Sequence, residues 1–174
     1  ADAFGWAGSL IREWRDSALR VSKEIRQETE PLLAVSEIEE VAADWILENR
    51  PEIDGPVAII GTGPVGKGLI ERFRKEGRRC VWVYHANKPE VSDDGIEVVQ
   101  LNGLAAVLDR VRLIVSAVNV REPVVKQAPK SVVLIDLGVP ANIAPELRPV
   151  DLDTLKNWQR RRTGNYEEAV LRSG

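Results

Sequence analysis

The spacing of apolar residues divides the chain into a helical first part and an alternating second part. Residues 9–30 have the periodicity of one amphipathic helix with Ser9 as its N-cap. Its apolar stripe consists of Ile11, Trp14, Ala18, Val21 and Ile25. Three heptads of this kind suit either pairing with a second copy, as a homodimer, or packing on the chain's own domain. The pattern leaves both alternatives open.

A second helix is predicted after Pro31. Ser36 and Glu39 are spaced as a capping box, and the helical pattern continues to about Arg50. Its inward positions are Ile38, Val41, Ala42, Trp45 and Ile46. The turn over residues 51–56 then predicts a boundary between a helical extension (1–50) and a sheet domain (51–150), with a helix and tail over 151–174.

From residue 57 onward, short apolar runs alternate with helical patterns. Strands are predicted at 57–60, 80–84, 96–100, 113–117 and 132–136. Helices are predicted at 64–77, where Gly77 ends the helix, from a cap at Asn102 to Val111, and at 123–128. Either Asp151 or Asp153 should cap a last helix, which Gly164 should interrupt. This alternation predicts an α/β fold with a Rossmann-like, doubly wound parallel sheet.

The first strand runs into three glycines with the spacing G-x-G-x-x-G, followed by a helix. Gly61 permits the tight turn, Gly63 lets a pyrophosphate approach the backbone, and Gly66 lets the helix pack closely on the strand. The free N–H groups and the dipole at the helix N-terminus favour an anion. The motif therefore predicts a dinucleotide site, with a ligand-free glycine-rich turn as the alternative.

Ligands of such sheets bind beyond the carboxyl ends of the strands. The candidate cofactor-binding residues are Gly61, Thr62, Gly63, Pro64, Val65, Gly66, His85, Asn87, Lys88, Ser116, Ala117, Val118, Asp136, Gly138 and Val139. Asp136 either orients ligand groups or caps the next turn, and both roles stay open. Catalytic residues are not identifiable from the sequence.

The end of the second predicted strand favours NADP over NAD. An NAD site usually places Asp or Glu there to bind the ribose hydroxyls. Here Asn87 and Lys88 offer amide and cationic donors that suit a 2′-phosphate, and the first carboxylate is Glu90. The missing acid also disfavours S-adenosylmethionine. His85, the single histidine, is expected beside the adenosine rather than as a catalytic base.

Composition narrows the function classes. The net charge of −3 gives no general reason to expect nucleic-acid binding, and no apolar run is long enough to span a membrane. One cysteine and one histidine make a disulfide or a transition-metal site unexpected, and Cys80 should be a core residue. A cytoplasmic location is the default expectation. The absence of Met, even at position 1, indicates either a removed initiator or a fragment.

In several of these motifs, the chain resembles the NADP-binding domain of glutamyl-tRNA reductase. The resemblance covers about residues 10–158 and includes Asn87-Lys88 where the family commonly has Asn-Arg. Four groups of residues carry it: Ala18 to Thr29; Ala34-Val35-Ser36; the glycine loop Gly61 to Gly68; and the run Ile135 to Pro140 with Asn142 to Pro145 and Val150 to Leu155. The usual Arg-Asp after Val-Pro is here Ala141-Asn142.

The resemblance implies NADP(H) as cofactor and a place in tetrapyrrole biosynthesis. In the family, a cysteine of a separate catalytic domain attacks the glutamyl ester of the tRNA, and NADPH reduces the thioester. This chain has no counterpart of that domain, so we expect an NADP(H)-binding module that needs a catalytic partner domain or subunit; tRNA is a partner by resemblance alone. The alternatives are a non-catalytic assembly or regulatory protein that dimerises through residues 9–30, and a group-transferring enzyme of the same fold.

Overall fold

The computed structural model describes residues 38–173. The amphipathic helix predicted over residues 9–30 and the cap predicted at Ser36 therefore lie outside the described residues. None of the helices in the described range has the length and apolarity needed to cross a membrane.

Within that range, six parallel strands form one sheet, in the order β3-β2-β1-β4-β5-β6. The strands are β1 (Val57–Ile60), β2 (Cys80–Tyr84), β3 (Ile96–Gln100), β4 (Leu113–Ser116), β5 (Val133–Asp136) and β6 (Val150–Asp151). This is the doubly wound order, in which the chain starts at the centre, runs to one edge and returns to build the other half. The predicted fold class is confirmed.

The helices cover both faces of the sheet. They are α1 (Ile38–Asn49), α2 (Pro64–Lys75), α3 (Leu104–Leu108) and α4 (Leu152–Ser173), with 3-10 turns at Leu101–Gly103 and Pro145–Leu147. Successive residues of β1 face opposite sides: Val57 and Ile59 pack in one core cluster, and Ala58 and Ile60 in the other. All four are buried, as a central parallel strand requires.

Helix α1 shares the first of these clusters with the sheet. Val41, Ala42, Trp45 and Ile46 are buried there, as their spacing predicted, and contact the cluster that contains Phe73 of α2. Ion pairs border this contact: Arg72 binds Glu40 at 2.9 Å and Asp44 at 3.3 Å, and Asp44 also binds Arg162 of α4 at 2.9 Å.

The C-terminal end of α2 and the N-terminal end of α4 both match the local sequence chemistry. After Lys75, Gly77 has φ +76°, and its N–H donates to Arg74 O while Arg78 N–H donates to Phe73 O. These two bonds form a Schellman motif, so the predicted stop at Gly77 is confirmed. At the start of α4, Asp151 Oδ1 accepts the Thr154 N–H at 2.8 Å. Of the two residues predicted as alternative caps, Asp151 is therefore the cap and Asp153 is not.

Three local predictions are wrong. Residues 123–128 are not helical, because Val125 forms a parallel bridge with Ile143 and its N–H donates to Asn142 O. Asn102 caps no helix: it lies within a 3-10 turn, and α3 covers only five residues. Gly164 does not interrupt α4, since glycine costs a helix only about 1 kcal/mol. Strand β6, two residues long, was not predicted.

Replacing Ile46 by alanine should lower the free energy of unfolding by about 2–5 kcal/mol, because the side chain is 1% exposed and its removal leaves a cavity in the core. Leu47→Ala is the matched control in the same helix, because Leu47 is 43% exposed, and it should cost less than about 1 kcal/mol. Urea unfolding of both variants measures the difference. Equal losses would contradict the packing of α1 in the core.

Candidate functional site

At the corner between β1 and α2, main-chain atoms of different segments lie in close contact. Gly61 has φ +120°, and a Cβ there would lie 2.6 Å from Ala117 O and 2.8 Å from Ala117 C. Its N–H donates to Val83 O, and its carbonyl accepts the buried Trp82 Nε1–H at 2.8 Å. No side chain fits at this position, so a residue other than glycine would push β1 away from the end of β4.

The other two glycines of the motif differ in what surrounds them. A Cβ at Gly66 would lie 2.1 Å from Gly61 O, so α2 packs on the turn only because that atom is missing. A Cβ at Gly63 would meet nothing within 4 Å. The fold therefore requires glycine at 61 and 66, whereas the space at Gly63 is open on the side where a ligand would approach.

Gly63 is the N-cap of α2, and no side chain caps this end. Pro64 is the first helical residue and has no N–H, and the first intrahelical bond is donated by Lys67 to Gly63 O. The amides of Val65 and Gly66 have no acceptor within the helix, and the first turn carries no acidic residue. The geometry offers an anion two N–H groups and the positive end of the helix dipole.

A crevice of about 380 Å³ opens directly above this corner. The ends of β1, β2 and β4 form it, where the strand order reverses. Its lining residues are Gly61, Thr62, Gly63, Pro64, Val65, His85, Ala86, Asn87, Ala117, Val118 and Asn119. Nine of the candidate residues named from the sequence thus come together here, and Ala86 and Asn119 join them unpredicted.

The β2 side of the crevice is free of carboxylates. Among the described residues that line it, none is Asp or Glu; His85 and Asn87 lie there instead. Lys88 is exposed and follows Asn87 directly, just outside the lining. A ligand with negative charge would therefore meet no carboxylate among these lining residues.

Four candidate residues lie outside the crevice, besides Gly66 and Lys88. Ser116 is fully buried and its hydroxyl donates to Asn142 Oδ1 at 3.2 Å. Asp136 is 4% exposed, and its carboxylate accepts the N–H groups of Gly138, Asn142 and Ile143 at 2.8–2.9 Å. Two roles were left open for Asp136. The described structure shows the second, in which its carboxylate caps the turn that follows β5. Gly138 packs against the Asn142 side chain, and Val139 is 79% exposed.

Asn142 is the residue that sequence reasoning missed. It is completely buried, and its amide joins the loop after β5 to the end of β4. The sequence did contain a signal, because a polar residue stands between Pro140 and the apolar pair Ile143-Ala144. A buried amide of this kind needs hydrogen-bond partners, and the Asn142 amide finds them in both segments.

Cys80 lies at the other end of β2, away from the crevice. It is 1% exposed, and burial raises the pKa of its thiol from 9.0 to about 11, against the opposing effect of Arg74 and Arg78. The prediction of a core cysteine is confirmed. A larger cleft of about 650 Å³ also opens at this amino edge of the sheet, between α1, α2 and the turn at residues 53–56. No group of three His, Cys, Asp or Glu residues in the described range is placed to hold a metal.

Comparison with known proteins points to one family. The chain is 30% identical over 151 residues to glutamyl-tRNA reductase 1 of Pyrobaculum calidifontis and 27% identical over 156 residues to that of Pyrobaculum arsenaticum. These matches cover 84% and 87% of this chain but 40% of each relative. The predicted resemblance to glutamyl-tRNA reductase is confirmed. The chain spans about two fifths of the length of these relatives, and no protein-family model matches it.

A solved structure supports the same fold. The nucleotide-binding domain of glutamyl-tRNA reductase from Thermoplasma volcanium superposes with a TM-score of 0.59 at 18% identity. The match covers 76% of this chain and 97% of that domain. At this identity the likeness concerns the fold alone.

Two alanine substitutions separate the glycine that the fold requires from the glycine that faces open space. Gly66→Ala should lower the free energy of unfolding by about 3 kcal/mol or more, because the backbone of Gly61 cannot yield to a Cβ. Gly63→Ala should change it by less than about 1 kcal/mol, because its φ of −75° suits alanine and the space is open. Thermal unfolding of both variants is the measurement, and equal effects would contradict the geometry of the corner.

The buried thiol should make stability depend on pH in the alkaline range. Between pH 9 and about 11 the unfolded thiol ionises while the folded one stays protonated, so stability is lost as pH rises through this window. The difference in unfolding free energy between the wild type and Cys80→Ala should therefore shrink there and stay constant below pH 8. Rapid alkylation of the native thiol at pH 8, at the rate of the unfolded chain, would contradict the burial.

Proposed function

We propose that this chain is the NADP(H)-binding module of a reductase that resembles glutamyl-tRNA reductase, and that it serves tetrapyrrole biosynthesis. The observation that carries the proposal is the crevice at the reversal of the strand order, with open space above Gly63 and no carboxylate on its β2 side. Each of these features corresponds to one part of the cofactor.

The pyrophosphate would lie on the N-terminus of α2. There the amides of Val65 and Gly66 lack helical acceptors, and the missing Cβ of Gly63 leaves room for phosphate oxygens. No acidic side chain in the first turn opposes a doubly charged group. The residues present therefore fit a dinucleotide at this end of the crevice.

The phosphorylated adenosine would lie at the end of β2. Asn87 offers an amide donor in the lining, and Lys88 is the adjacent exposed cation. A 2′-phosphate gains charge-assisted hydrogen bonds from such groups, whereas the ribose of NAD would find no carboxylate to accept its hydroxyl protons. This contrast is the basis for proposing NADP(H) rather than NAD(H).

A catalytic partner domain or subunit completes the proposal. When bound, the reduced cofactor supplies a hydride; the crevice residues bind and orient it. Cys80 cannot serve as a nucleophile near the crevice, since it is buried at the opposite edge of the sheet with a raised pKa. We propose that the attacking group and the glutamyl-tRNA site come from that partner, by analogy with the named activity of the relatives.

Titration with NADPH and NADH, followed by tryptophan fluorescence, tests the proposal. Wild-type protein should bind NADPH with a dissociation constant in the micromolar range and NADH at least about tenfold more weakly. Lys88→Ala should weaken NADPH binding by about tenfold, because a charge-assisted contact to the 2′-phosphate is lost. NADH binding should be unchanged in this variant.

Asn87→Asp provides the sharper test, because the side chains have the same shape. The new carboxylate would repel a 2′-phosphate and accept the ribose hydroxyls of NADH, so preference should move from NADPH towards NADH by about tenfold or more. Asn157→Asp on α4 is a control for the added charge, since Asn157 is exposed and does not line the crevice. The proposal fails if neither nucleotide binds the wild type at millimolar concentration.

A further inference from the structure

Asn142 is a completely buried polar residue next to, but not within, the crevice lining. Its Oδ1 accepts the Val118 N–H at 3.1 Å and the Ser116 hydroxyl at 3.2 Å. Its Nδ2 donates to Pro140 O at 3.2 Å. One amide thus joins the chain that leaves β4 to the loop that follows β5.

The loop after β5 holds this amide in place. The Asp136 carboxylate accepts the Asn142 N–H through Oδ2 at 2.8 Å and the Gly138 N–H through Oδ1 at 2.9 Å. A Cβ at Gly138 would lie 2.3–2.4 Å from the Asn142 amide atoms, so the side chain fits only beside glycine. The position of Asn142 is therefore set by its own backbone and by the missing side chain at 138.

The segment that Asn142 contacts is one wall of the crevice. Ala117, Val118 and Asn119 line the β4 side, and the Ala117 N–H donates to Ile60 O at 2.8 Å. With the Val118 N–H bound to Asn142, the amides of two successive wall residues are satisfied within the fold. Since the β2 side suits the adenosine, the remainder of a dinucleotide must extend along this β4 wall.

We infer that Asn142 is a positioning residue for the half of the cofactor that lies beyond the pyrophosphate. It fixes the backbone of residues 117 and 118 and so sets the shape of the wall against which the nicotinamide ribose and ring rest. This inference rests on the proposed function and divides the site into two halves. The β2 loop selects the adenosine, and Asn142 affects only the half that binds the rest of the cofactor.

The test compares two ligands that share the adenosine half. NADPH occupies both halves, whereas adenosine 2′,5′-bisphosphate occupies only the adenosine and first-phosphate positions. Asn142→Ala removes the amide, and Gly138→Ala displaces it by inserting a Cβ. Both variants should lose NADPH affinity by about tenfold, because the Val118 N–H and Pro140 O lose their partner and the wall shifts. Affinity for the bisphosphate should stay within about twofold of wild type.

Ile46→Ala is the control for loss of stability alone, because it removes core packing in α1 and contributes nothing to the crevice. It should lower the melting temperature without changing either affinity below that temperature. If Asn142→Ala does not fold, Gly138→Ala alone decides. The inference is overturned if both ligands weaken equally or if neither weakens. Failure of the wild type to bind either ligand would instead remove the proposed function, and this inference with it.

Discussion

The contact of main chain with main chain at the β1–α2 corner is the constraint on which the rest of the site depends. Gly66 lies over the carbonyl of Gly61, and Gly61 lies against the carbonyl of Ala117, so three segments meet with no side chain between them. This approach places the uncapped N-terminus of α2 at the carboxyl edge of the sheet and closes β1 on β4. The crevice exists because these two positions carry no Cβ. The open space at Gly63, in contrast, leaves room for a ligand.

A second, polar layer supports that corner from the β5 side. Asp136 and Asn142 are buried, yet every hydrogen bond they make is to the loop after β5 or to the end of β4. Burying a carboxylate and an amide is costly unless their partners are complete. Here three N–H groups satisfy the carboxylate, and the amide bridges two loops, so the polar groups order a segment that lacks regular secondary structure.

The carboxyl and amino ends of the strands differ in chemistry. At the carboxyl ends, backbone amides, His85 and Asn87 surround an open crevice. At the amino ends, Cys80 is buried, and Arg72 and Arg162 link α1 to α2 and α4 through Glu40, Asp44 and Glu48. Partly exposed ion pairs of this kind contribute little stability each, so α1 is held mainly by the burial of Trp45 and Ile46. The ion pairs thus lie at one end of the strands, and the crevice lies at the other.

The sequence by itself determined the features that depend on neighbours along the chain. The strands at 57–60, 80–84 and 96–100, the stop at Gly77, the inward face of α1 and the glycine motif all follow from local periodicity and turn chemistry. The tertiary structure decided what depends on distant partners. Val125 pairs with Ile143 instead of forming a helix, β6 forms by addition to β5, and Ser116 turns inward to Asn142. Hydrogen bonds between segments far apart in sequence leave no periodic signal, so only the folded chain reveals which polar residues line the crevice and which hold it.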